Sequence, residues 1–82
     1  MWYVYILKSL SISTYFYKGL TDDIEDRLKR HIQRRERTTK DKGPFKLVHV
    51  ELCEDRKYAR EMEKYFKSGY GREIIKEIDE SI

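Results

Sequence analysis

A single cysteine in the whole chain removes any intramolecular disulfide: Cys53 has no partner. Its apolar flank, VHVELC, reads as the end of a buried or half-buried strand, and a chain without disulfides is expected in a reducing compartment, the cytoplasm. Long apolar runs are missing too. No segment approaches the roughly 18 residues of a membrane span, and the opening MWYVYIL is too short and too aromatic for a secretory signal. No membrane association is expected. Glycine is scarce, at four residues, and none is spaced as a P-loop or a dinucleotide fingerprint; zinc-type Cys/His spacing and a Ser/His/Asp signature are also lacking. Organic cofactor chemistry therefore has no foothold.

Charge and aromatic rings fill the space those absences leave. Charged residues make up 40% of the 82, and the hydrophobic 39% includes seven tyrosines, three phenylalanines and Trp2. That composition predicts a folded domain with a heavily solvated surface, and the length predicts one domain over residues 1–82. The net charge is only +3 with a pI near 9.0, yet the segment Arg27 to Lys46 is strongly basic. A local field of that sign serves equally as a solubility face or as a contact for a polyanion.

Tyr3 to Leu7 is β-branched and aromatic, as in a strand covered on both faces, and Thr14 to Leu20 follows closely enough to make a hairpin with it. Thr21 or Asp22 opens a helix, with Asp22 and Glu25 spaced as a capping box and Ile24, Leu28 and Ile32 as its apolar stripe. Arg27 and His31 share one edge of that stripe. RRERTTKDKG, from Arg34 to Gly43, has no periodicity and reads as a mobile loop. FKLVHVEL alternates Phe45, Leu47, Val48 and Val50 with polar residues as a third strand. Asp55 then caps a second helix with Tyr58, Ala59, Met62, Tyr65 and Phe66 as its buried face and Glu63 beside it. Gly69 and Gly71 end that helix, and REIIKEIDESI forms a short terminal one.

Tyrosine, arginine, histidine, lysine and glutamate remain as the chemistry-bearing set, and these can serve phosphodiester hydrolysis when a divalent ion is present. Their order resembles the GIY-YIG nucleases. The two name motifs are matched by Tyr3-Val4-Tyr5 and Tyr17-Lys18-Gly19; an arginine, Arg27, stands eight residues after Gly19, with His31 one turn later. Ala59 and Glu63 match the A-x-x-x-E of the helix after the third strand, and GPFKLV and KSGYGRE look like the small standalone, single-domain branch. Lys18 departs from the aliphatic residue usual in the second motif, and alternation points it away from the Tyr17 face.

The resemblance implies an α/β (α+β) domain, a small three-stranded antiparallel sheet flanked by helices. It implies a Mg²⁺- or Mn²⁺-dependent endonuclease acting on DNA in repair or recombination, with RNA left open as a partner. Glu63 would be the metal ligand and Arg27 the phosphate clamp; Tyr5 and Tyr17 would position or deprotonate the attacking water, with His31 assisting. Arg34, Arg35, Lys40 and Lys42, solvated on the basic loop, would meet nucleic acid. The alternative is a nucleic-acid-binding module on the same scaffold with little or no turnover. Read without the family pattern, Tyr5 and Tyr17 are packing residues and Arg27 with Glu63 a plain ion pair.

Overall fold

Why one strand carries the fold follows from its neighbours. In the computed structural model, which describes residues 1–81, β1 (Trp2–Ser9) lies between β2 (Phe16–Thr21) and β3 (Phe45–Cys53) in an antiparallel sheet of order β2-β1-β3. Covered on both faces, the centre of β1 buries four consecutive residues, Val4, Tyr5, Ile6 and Leu7. The fold is the α+β arrangement expected.

The pairing register divides the side chains between two faces. Val4 opposite Leu20, and Ile6 opposite Lys18 and His49, face helices α2 (Arg56–Lys67) and α3 (Gly69–Glu80). There Val4, Ile6, Val48 and Cys53 pack with Ala59, Phe66 and Ile75 as the hydrophobic core. Cys53 is buried at the strand end, as its flank predicts. Tyr5 opposite Gly19, and Leu7 opposite Tyr17, face the other way, toward α1 (Ile24–Ile32).

Several local expectations are corrected. Asp23, one residue later than expected, caps α1 by accepting the Asp26 N–H at 3.1 Å. His31 is the buried residue of the last turn and Ile32 is 77% exposed, because the helix leans its Arg27–His31 edge on the sheet. β3 carries a bulge: Ile6 pairs with His49 and Leu7 with Leu47, so Val48 is the extra residue. The slip breaks the alternation, burying Val48 and leaving Leu47, Val50 and Leu52 exposed. Asp55 caps α2 as predicted, at 2.8 Å from the Tyr58 amide, but Tyr58 and Tyr65 are exposed rather than core.

Gly69 and Gly71 do not break the chain into a late helix. Ser68 ends α2 and caps α3, its hydroxyl accepting the Gly71 N–H at 3.2 Å. A side chain at Gly71 would collide with the Tyr65 carbonyl and the Phe66 backbone, so this glycine allows the two helices to approach closely. Ile82, the last residue assigned to the terminal helix, lies outside the described residues.

The segment after α1 is anchored by specific bonds. Arg35 N–H bonds the Arg30 carbonyl at 2.8 Å and Arg34 N–H the His31 carbonyl at 3.2 Å, a Schellman closure with Arg34 at φ 58°. Thr39 is buried, and the Ser9 and Ser11 hydroxyls donate to the carbonyls of Lys42 and Gly43. A loop read as mobile thus has a fixed middle and a fixed end.

Candidate active site

Gly19 makes the room in which the site is built. It sits opposite Tyr5 in the register, and a Cβ there would lie 2.6 Å from Tyr5 Cζ and Oη and 2.8 Å from Tyr17 Cε2. Both phenol rings occupy that space, with centroids 6.0 Å apart, and His31 of α1 closes over them at 5.6 Å from Tyr5 and 5.0 Å from Tyr17. Three residues from three elements share one contact.

Beneath this group runs a buried polar chain. Tyr5 Oη and His31 Nε2 are 2.8 Å apart, and His31 Nδ1 and Thr39 Oγ1 are 2.7 Å apart. Both hydroxyls can donate or accept, so a neutral imidazole is satisfied in either tautomer. Tyr5, His31 and Thr39 are all essentially inaccessible to solvent, and no buried side-chain polar atom among the described residues lacks a partner.

Burial also sets the protonation states. Removal from water raises the Tyr5 phenol well above its ordinary value, the neighbouring Tyr17 adds to the rise, and Arg27 opposes it. The same desolvation lowers His31, with Glu36 pulling the other way and Arg27 reinforcing the fall. At neutral pH the chain is uncharged throughout.

Arg27 stands at the border of this buried group, partly exposed, with Nε 3.8 Å from Glu36 Oε1. The same carboxylate oxygen lies 3.8 Å from Arg30 Nη1, so Glu36 is shared by two guanidinium groups. Glu63 belongs to the helix on the opposite sheet face; its carboxylate, mostly shielded, is 3.5 Å from Lys67 Nζ. An Arg27–Glu63 ion pair is therefore not formed, each having another partner. Among the described residues no hydrogen bond or ion pair joins Glu63 to the tyrosines or His31.

A family profile for the GIY-YIG catalytic domain matches residues 1–77. The chain belongs to the GIY-YIG family. It is also 40% identical over 66 residues to the UPF0213 protein CPE1444 of Clostridium perfringens (strain 13 / Type A), an alignment covering 79% of this chain and 69% of that one. No solved structure matches. Membership places the chain among nuclease-type catalytic domains, which typically use divalent metal ions.

In GIY-YIG terms, the first motif supplies the buried Tyr5 and the second supplies Tyr17 and the glycine that makes room for both. Glu63 fits a hard cation by donor chemistry: one shielded carboxylate, with water completing the shell, suits Mg²⁺, which keeps most of its waters. Among the described residues no cluster of three or more His, Cys, Asp or Glu offers a competing cage. Of the four basic residues expected at nucleic acid, Arg34, Arg35 and Lys40 are exposed. Lys42 differs, half-buried with Nζ over the Tyr15 ring at 5.6 Å.

Sequence reasoning missed Thr39 and Glu36. Thr39 sits in a stretch without period and carries no signal that would single it out. Glu36 does carry one, as the lone acid of Arg34-Arg35-Glu36-Arg37, where a carboxylate is retained inside a basic run.

Proposed function

We propose that the chain is a metal-dependent endonuclease that hydrolyses DNA phosphodiester bonds, with repair or recombination as its setting. The observation that carries this reading is the neutral Tyr5–His31–Thr39 chain packed against Tyr17 at the edge where Arg27 emerges. Burying a histidine and two hydroxyls in so small a domain costs desolvation that an apolar trio would avoid, and such costs concentrate at functional sites.

Roles divide by exposure. Tyr5 is buried and stays protonated, so it acts by holding the imidazole in place, with Thr39 fixing the other ring nitrogen. Tyr17, half-buried against the same imidazole, is the phenol that meets and orients the attacking water. Arg27 exchanges Glu36 for the scissile phosphate and offers it a planar pair of donors, which steadies the charge growing on the phosphoryl oxygens. Glu63 would hold a Mg²⁺ or Mn²⁺ ion, which would supply Lewis-acid chemistry to the phosphodiester. Arg34, Arg35 and Lys40 would track the flanking phosphates.

The test is cleavage of duplex, flap, branched and single-stranded DNA with Mg²⁺ or Mn²⁺, comparing the native chain with Glu63→Gln. Loss of cleavage at an unchanged melting temperature is expected; cleavage by the variant at the native rate removes Glu63 from the site. A second reading, the binding module without turnover, draws on Glu36, which already neutralises Arg27. DNA bound but uncut by both the native chain and Glu36→Gln would select it.

A further inference from the structure

Lys18 is the residue of the second motif that the active site does not use. Its neighbours Tyr17 and Gly19 face α1, whereas Lys18, paired with Ile6, faces the helices on the other side of the sheet. There it lines a cleft of about 670 Å³ between β2 and α3, with Tyr15 and Phe16 from the hairpin and Arg72, Ile75 and Lys76 from α3. That volume lies within the roughly 300–1,000 Å³ typical of ligand sites.

The charges in this cleft are unbalanced. Lys18 is half-buried, and neither it, Arg72 nor Lys76 forms an ion pair among the described residues. Burial, then Arg72 and Lys67, hold the Lys18 ammonium below its ordinary value, which is the signature of a cation lacking a counter-charge. Two acids line the cleft as well. Asp79 is already neutralised by Lys8 at 2.6 Å, and Glu80 is exposed on the last turn of α3. Arg72 and Lys76, one helical turn apart, stand on the same face of α3.

We propose that this cleft is a second nucleic-acid subsite, which takes a phosphate of a single strand on Lys18, Arg72 and Lys76 with the adjacent base against the wall made by Tyr15 and Phe16. A phosphate supplies the missing counter-charge and a base covers the apolar wall, the two components from which single-strand sites are built. The inference rests on the proposed nuclease reading, since it extends that substrate across the β2 edge from the Tyr17 face to the Lys18 face.

The experiment measures anisotropy of a labelled oligothymidylate single strand across a salt series for the native chain, Lys18→Ile and Arg72→Gln/Lys76→Gln. The α3 pair is exposed, so its replacement leaves the core untouched even if Lys18→Ile disturbs the strand. Expected is a roughly tenfold loss of affinity and a log–log salt slope reduced by about 0.7 for each lost contact. Native binding with affinity and slope unchanged in the α3 variant overturns the subsite and leaves the nuclease reading standing. Weakened binding by the variants of a native chain that cuts no DNA supports the subsite while refuting the nuclease. A native chain that binds no strand refutes the subsite, and saturation of the cleft by thymidine monophosphate without response to the strand overturns its assignment to a strand.

Discussion

Tyr5 and Tyr17 share one side of the sheet, and His31 touches both, yet only Tyr5 is sealed from water and bonded to the imidazole. The burial of that imidazole sets a pH signature. Because burial lowers the folded His31 pKa, the unfolded chain binds its proton first on acidification, so stability is fully present above the ordinary value of about 6.5 and falls as pH drops below it. NMR titration of the His31 ring is expected to give a midpoint under 6.5; a midpoint above it would mean that a charged imidazole is stabilised. Arg34 carries a different cost, since it holds φ 58° where a side chain crowds its own carbonyl. Arg34→Gly is therefore expected to raise stability by up to about 1 kcal/mol in urea denaturation, glycine's greater freedom when unfolded offsetting part of the gain. A destabilised variant would show that the Arg34 side chain contributes more than its backbone costs.

β2 positions the site through a residue with no side chain. Gly19→Ala would thrust a methyl into the Tyr5 and Tyr17 rings, and a crowded site of this kind costs about 1–3 kcal/mol. The expected outcome is a lowered melting temperature together with loss of cleavage; an alanine variant with native stability would mean the rings are free to move. Elements were legible where sequence pattern and burial agree: the aromatic run of β1, the Asp55 cap of α2 and the strand end at Cys53 all read correctly. The α1 stripe misled because Ile32 is apolar yet points to solvent, while His31 is polar and buried by virtue of two hydroxyl partners, Tyr5 on a distant strand and Thr39 in the following loop. The β3 pattern misled because its bulge shifts alternation by one residue, an event that depends on the pairing strand. Both features depend on β1, which lies far from either segment in the chain, so no short window of sequence contains them.

Across the whole molecule, one sheet separates two chemistries. On one side a neutral, solvent-free chain of hydroxyl, imidazole and hydroxyl backs Tyr17 and Arg27; on the other, three cations surround a cleft. The GIY-YIG motif order was readable from residue types and spacing in the chain, but the shared face of Tyr5, Tyr17 and His31, the strand order and the contribution of Thr39 depend on the folded topology. The proposed mechanism gives its two tyrosines different work. The measurement is the single-turnover cleavage rate of Tyr17→Phe, with its melting temperature, beside those of Tyr5→Phe. Tyr17→Phe should lose on the order of 10²-fold in rate with little change in stability. Tyr5→Phe should lose about 1–3 kcal/mol of stability as His31 gives up a partner. A Tyr17→Phe variant that cleaves DNA at the native rate would contradict the role of Tyr17 at the attacking water.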